Sequence, residues 1–285
     1  MGERRRIGRP PWDRAFRSEG SRMITNPVVE AMMQRKSIRK YTEQMPSDEI
    51  IETIVRCGQQ APFAAQLGSL LLSRDQKEHP FNAPLLFTIL IDVHRLERVM
   101  ERRSWDRASS DEAILLFGAQ DASYMAENMV IAAESLGLGS CFLGGAPFYA
   151  GKVAEAYRLP SHVFPLVQLA MGYPAEDPPP RPRFPISFTM FEDRYPAMED
   201  ETVDAAMAQM DDGYLSQDYY KRAGYMVPLA EEREETFTLD DYSWTEHMGR
   251  KWGQWLKSPQ ELRKPLLACG FSLSPLEEET GDENG

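Results

Sequence analysis

The sequence predicts an α+β domain. Two observations carry that prediction. Four short apolar runs of strand type, at 69–73, 85–92, 140–143 and 167–171, alternate with stretches whose apolar residues recur at helical spacing. One of those stretches, from Ser109 to Gly137, is much longer than the others and rich in alanine. Order begins at Asn26-Pro27, because Asn is a favoured N-cap and Pro suits the first helical position. Val28, Val29, Met32 and Met33 then give a short helix running toward Arg35. A second helix starts at Ser47, uses Ile50, Ile51, Ile54 and Val55 as one face, and ends near Gly58. The first two strands, 69–73 and 85–92, come next, and sequence alone does not choose between a hairpin and a crossover.

The long helix opens at Ser109, whose spacing to Glu112 is that of a capping box. Leu115, Ala119, Ala122, Ala126, Met129, Val130 and Ala133 follow, and Gly137 stands where a left-handed C-terminal residue is wanted. Its length and small residues predict a central element packed on both sides. The strands at 140–143 and 167–171 complete the sheet. From Tyr173 the chain turns proline-rich (YPAEDPPPRPRFP) and reads as an extended arm. Weaker helices are expected at 200–220 and 246–256. The boundaries expected are a disordered basic extension over 1–23, one domain over 24–273 and a disordered acidic tail over 274–285.

Composition bounds the function. The 285 residues carry 32 Lys and Arg against 44 Asp and Glu, a formal net charge of −12. Such a chain lacks the cationic surface that releases counterions from nucleic acid, and it is not drawn to anionic membranes. The charge is uneven: the first 22 residues hold seven arginines against three acids, and 277–285 hold five acids and no base. Cys57, Cys141 and Cys269 are odd in number and far apart, which fits a reducing, cytoplasmic compartment better than a disulfide framework. The four histidines are scattered, with no H-E-x-x-H pattern for a metal, and no G-x-S-x-G elbow occurs.

Three segments remain that suit binding chemistry. Arg35-Lys36-Ser37-Ile38-Arg39-Lys40-Tyr41 puts four cations and a hydroxyl into its first six residues, at the end of a capped helix. Arginine offers a planar fork of donors matched to phosphate, although a basic helix end also complements the helix dipole. The second segment is Leu136-Gly137-Leu138-Gly139-Ser140-Cys141-Phe142-Leu143-Gly144-Gly145. Gly137 is explained as a helix cap, whereas the Gly144-Gly145 pair suits close backbone approach to a flat ligand. The third segment is Gly172-Tyr173-Pro174 followed by Arg181-Pro182-Arg183, two cations on a stiff arm.

In this order and at these separations, the three segments resemble the nitroreductase family of flavin-dependent oxidoreductases, over residues 24–273. Tyr219-Tyr220-Lys221-Arg222, Ser243-Trp244-Thr245-Glu246 and Leu267-Ala268-Cys269-Gly270-Phe271 extend the likeness to the larger bacterial NADPH-dependent nitroreductases and flavin reductases. The resemblance implies a homodimeric fold, a mixed sheet flanked by helices with an extended C-terminal arm, and FMN (flavin mononucleotide) at the subunit interface.

It implies roles for residues as well. Arg35, Lys36, Ser37 and Arg39 would hold the phosphate and ribityl end of FMN, with Arg181 and Arg183 completing the cationic site. The backbone of Gly144 and Gly145 would face the flavin O4/N5 edge. Arg222 would grip the 2′-phosphate of NADPH, or else is a surface arginine among tyrosines. The loop Pro62-Phe63-Ala64-Ala65-Gln66-Leu67-Gly68 departs from the hydroxyl- and amide-bearing pattern of the subgroup. Contacts to FMN there fall to backbone or to Gln66, and Phe63 makes the substrate side more apolar.

The implied activity is ping-pong hydride transfer from NAD(P)H through flavin N5 to a nitroaromatic, quinone or flavin acceptor. No side chain is nominated as catalytic and no metal is expected. The alternatives are a flavin-binding or flavin-sequestering protein without efficient turnover, and a specialised reductase or dehalogenase of the same fold.

Overall fold

The computed structural model describes residues 24–230, 233–254 and 260–274. The expected basic extension and all of the acidic tail but Ser274 lie outside these residues. Contacts divide the chain into two compact units, Pro27–Pro178 with Lys257–Gly285, and Met1–Asn26 with Pro179–Leu256.

The first unit is built on a four-stranded sheet of order β1-β2-β4-β3, with β1 at Gly68–Ser73, β2 at Leu85–Asp92, β3 at Gly139–Leu143 and β4 at Val163–Gly172. All three strand pairs are antiparallel, and among the described residues parallel pairing is confined to an isolated bridge between Ser37 and Ser140. Every residue of β2 is buried, as its unbroken apolar run requires of a central strand. β4 is longer than the 167–171 run because it starts at Val163, where Pro165 and a register shift in its pairing with β2 break the pattern.

The helices α1 (Pro27–Gln34) and α2 (Asp48–Gln59) fall where expected, with the Ser47 side chain accepting from Ile50 N at 3.3 Å. Three eight- or nine-residue helices have no counterpart in the sequence reading: α3 (His94–Glu101), α5 (Ala150–Tyr157) and α9 (Gln260–Ala268). Helices so short take most of their stability from packing. α9 also carries Pro265 in its interior, which argues locally against a helix.

The long helix α4 (Asp111–Ser135) is capped by Ser110, not Ser109, and Ser110 accepts from Ala113 N at 3.2 Å. Its end matches expectation: Gly137 has φ +79°, its N–H donates to Glu134 O, and Leu138 N donates to Ala133 O. That pair of bonds is a Schellman motif. Among the described residues only one face of α4 is packed, not both. Gly118, Ala122, Met125, Ala126, Met129 and Val130 are buried, whereas Leu116, Phe117 and Tyr124 are 62%, 47% and 46% exposed.

The second unit has α6 (Asp200–Ser216), α7 (Tyr219–Ala223) and α8 (Trp244–Gln254). The expected single helix over 200–220 breaks at Asp218, whose φ is +48°. Met210, Tyr214, Tyr220 and Tyr242 form its core. Arg250 is buried there, held by both Glu235 oxygens at 2.6 and 2.7 Å and by Glu246 at 2.7 Å. The proline-rich stretch is packed, not free: a Cβ on Gly213 of α6 would lie 2.6 Å from Pro182, and Gln217 Nε2 donates to Pro180 O at 3.0 Å.

Candidate functional site

The basic segment after α1 has no regular structure, so its backbone groups must find partners elsewhere. They find them on two sides. Ile38 N donates to Ser140 O at 2.9 Å, laying residues 37–38 along the outer edge of β3. On the other side Tyr41 bridges Pro174, Thr42 N donates to Tyr173 O and Ala175 N donates to Lys40 O, both at 2.9 Å. Gly139 pairs with Gly172 across β3 and β4. Parts of all three segments singled out in the sequence therefore meet at one corner of the sheet.

Close approach explains one glycine. A Cβ on Gly139 would sit 2.4 Å from Ile38 Cγ1, so the loop can lie against β3 only if that position has no side chain. Tyr41 locks the corner from beneath. Its hydroxyl donates to Ile38 O at 2.6 Å, and burial raises its pKa, keeping it a neutral donor.

The charges at this corner suit an anion. Arg35 is half-buried, Arg39 is exposed, and neither guanidinium has an ion pair among the described residues. Lys36 is already engaged with Asp177, so less of its charge is available than the sequence implied. Burial pushes the Glu134 carboxyl up in pKa, opposed by the charges of Arg35 and Lys36. Glu134 Oε1 and Ser140 Oγ are buried without a hydrogen-bond partner among the described residues. Unsatisfied buried polar atoms in a native fold call for a specific explanation, and a bound polar ligand is one.

The chain leaves β3 through Gly144 and Gly145, both exposed; a Cβ on Gly144 would meet nothing within 4 Å. That open backbone admits a flat group. The unpaired arginines, the orphaned Ser140 hydroxyl and the open Gly144 together fit a phosphate-bearing, planar ligand such as FMN.

The 62–68 loop is organised by a residue the sequence reading missed. Asp121 of α4 is 4% exposed and accepts from Ala64 N at 2.6 Å, Ala65 N at 3.0 Å and Leu67 N at 3.0 Å. Three of the loop's N–H groups are thus consumed, so the backbone donation to FMN expected there is reduced and the Gln66 side chain is left as its main polar group. Gln66 adopts φ +52° and, with Phe63, Arg95 and Asp121, lines a cavity of about 290 Å³. The signal for Asp121 was present: it is an acid at the position shared by Gly118 and Met125 on the packed face of α4.

Arg181, Arg183 and Arg222 belong to the second unit. The Arg181 guanidinium lies 4.0 Å from the Tyr219 ring centroid and donates to Gln217 at 2.9 Å. Arg183 Nη1 turns back onto the carbonyls of Arg181 and Pro182, each at 3.0 Å. Arg222 is exposed on α7.

Known proteins supply the context. The family model described as the nitroreductase family matches residues 32–78 and 71–173. The chain is 31% identical over 192 residues to the FMN reductase (NADPH) of Bacillus subtilis, covering 62% of this chain and 77% of that protein. It is 30% identical over 205 residues to an NADPH-dependent oxidoreductase of Staphylococcus aureus, covering 66% and 81%. The structure of B. megaterium NfrA2 shares the fold with TM-score 0.76 at 24% identity, over 88% of this chain and 100% of that one. The corner where the basic loop, the glycine-flanked strand and the Gly-Tyr-Pro turn converge falls within the matched region, and the chain belongs to the nitroreductase family.

Proposed function

We propose that the protein is a homodimeric FMN-dependent NAD(P)H oxidoreductase acting on a nitroaromatic, quinone or flavin acceptor. The observation that carries this reading is the loop 35–39 pinned against β3, its arginines without an ion pair among the described residues, in a chain of this family. Bound FMN would supply the hydride-transfer chemistry between NAD(P)H and the acceptor, in ping-pong order. Arg35, Ser37 and Arg39 bind its phosphate end, with Lys36 contributing less because of Asp177. Arg181 and Arg183 add positive charge, Gly144 and Gly145 leave the ring edge open, and Gln66 gives a polar contact. Phe63 and Arg222 serve the substrate and NADPH. Solvent protonates the product, so no side chain is given an acid role. The exposed Leu116, Phe117 and Tyr124 of α4 favour a second copy as their cover, since exposed apolar patches mark interaction surfaces. The cytoplasm is the compartment we assign; the three cysteines are free.

Absorbance and stopped-flow spectra test the proposal. Yellow protein bleached anaerobically by NADPH or NADH and reoxidised by a nitroarene, quinone or free FMN supports it. Parallel double-reciprocal lines support the ping-pong order. Yellow protein that neither nucleotide bleaches favours the sequestering alternative, which the consumed donors of the 62–68 loop motivate. Colourless protein that cannot be reconstituted with FMN removes both.

A further inference from the structure

We propose that Glu176 is a positioning residue: its carboxylate fixes the backbone on both sides of Arg39 and so aims that side chain at the ligand's anionic group. The inference rests on the flavin reading above. Glu176 Oε1 accepts from Arg39 N at 2.6 Å and from Lys40 N at 3.1 Å. Those two amides flank a single α-carbon. Anchoring both on one oxygen sets φ and ψ of Arg39 together, and with them the direction of its Cα–Cβ bond. Tyr41, donating to Ile38 O, and Ala175 N, donating to Lys40 O, also hold the backbone nearby. Among the described residues, however, Glu176 alone takes both amides that flank the Arg39 α-carbon, and the exposed Arg39 side chain has no ion pair there to aim it.

The surrounding contacts make the anchor stiff. Glu176 follows directly on Ala175, whose N–H donates to Lys40 O, and precedes Asp177, which pairs with Lys36. Residues 173–177 and 36–42 therefore run side by side, with Glu176 at the middle of the contact. The placement is otherwise hard to account for. A carboxylate beside an arginine that binds phosphate repels the ligand, so its charge works against affinity while its oxygen works for it. Holding a binding group in its bound conformation raises affinity by cutting the ordering cost.

The neutral isostere separates these two effects. Glu176→Gln keeps an acceptor oxygen and removes the like charge, whereas Glu176→Ala removes both. FMN dissociation constants are measured by flavin fluorescence quenching in the full chain. E176A is expected to bind FMN about tenfold more weakly, the size of one hydrogen bond to a group that must otherwise be ordered. E176Q is expected to match the wild type or bind more tightly. Asp177→Asn, which leaves the Glu176 oxygen in place and releases Lys36, is expected to bind FMN as tightly as the wild type or more tightly. In the cofactor-free protein, amide exchange at Arg39 and Lys40 is expected to accelerate in E176A and remain slow in E176Q.

Wild-type affinity in E176A overturns the proposal, and so does equal weakening in E176A and E176Q, which would place the effect in the charge. If E176A does not fold, Glu176→Asp takes its place, its shorter side chain withdrawing the oxygen by one methylene, with the same expected order. Wild type that binds no FMN brings down the flavin reading and this inference with it. That failure shows in the wild-type spectrum and not in the variants, so the two are told apart.

Discussion

Two irregular loops of the first unit are each held by one carboxylate, and the comparison separates what a loop needs to fold from what it needs to bind. Asp121 reaches out of the packed face of α4, is 4% exposed, and takes three N–H groups of the 62–68 loop. Glu176 lies in an irregular stretch, is only partly covered, and takes two N–H groups of the basic loop. The chemistry is the same in both. The surroundings differ, and the cost of a lost hydrogen bond depends on whether water can replace it. Around Asp121 water cannot reach the donor on Leu67, which is fully buried, so that carboxylate belongs to the fold. Around Glu176 it can, so that carboxylate chiefly sets direction.

The sharpest test of this distinction is Asp121→Ala. It is expected to cost roughly 3 kcal/mol or more of stability by stranding buried donors, measured as a lowered urea midpoint with unchanged slope. A loss below about 1 kcal/mol would mean that the 62–68 loop relaxes to water and that the contrast fails.

Next in size is Arg39→Ala. Its fold stability should stay near wild type, while FMN binding weakens by roughly 1.5–3 kcal/mol, the worth of a charge-assisted hydrogen bond. Equilibrium titration checks this, and unchanged FMN affinity would remove Arg39 from the site. A pair of glycines then divides the two roles again. Gly139→Ala drives a methyl to 2.4 Å from Ile38 Cγ1 and should cost roughly 1–3 kcal/mol as overpacking. Gly144→Ala meets nothing within 4 Å, so its melting temperature should hold while FMN affinity falls. Equal melting temperatures for both variants would contradict the close approach at Gly139.

The smallest effect is a pH dependence from surface carboxylates. Glu112 accepts from Ser274 N at 2.6 Å, and these backbone and side-chain bonds from Ser274 draw its pKa down to about 2. Glu235 is drawn down to about 2, chiefly by Arg250. A depressed carboxyl stabilises the fold above its unfolded pKa, near the ordinary 4.5, and that stabilisation is lost as pH falls toward 2. Stability profiles between pH 6 and 2 should slope downward through this window, and Glu112→Gln should flatten the slope in part.

Much of this was legible in the chain. β2 was read at its true bounds, because a run from Leu85 to Asp92 with turn residues before it fits a buried strand. The Schellman end at Gly137 was legible because its signal is local. Ser110 was displaced by its neighbour Ser109 because Glu112 stands at capping-box spacing from Ser109, whereas the residue at that spacing from Ser110 is Ala113 and carries no such signal. α3 and α5 were missed although α1 is no longer than they are, because α1 opens on the Asn26-Pro27 start signal and they have none like it. At the site, Arg35, Ser37 and Arg39 could be named from residue type, and their meeting with β3 is a tertiary fact. Glu176 gave no sign in the sequence, since its contacts span 137 and 136 residues and an acid after Pro174-Ala175 is unremarkable.

The 2.4 Å approach of Ile38 to Gly139 has a consequence for anyone who would re-engineer this corner. The basic loop and the strand it lies on are not separable parts. A loop bearing other anion-binding residues can be transplanted only with its strand, as one cassette, because a larger residue at 139 demands a smaller one at 38. Libraries that vary the loop while holding β3 constant would sample mostly misdocked loops, and paired variation at 38 and 139 is where altered ligand preference should be sought.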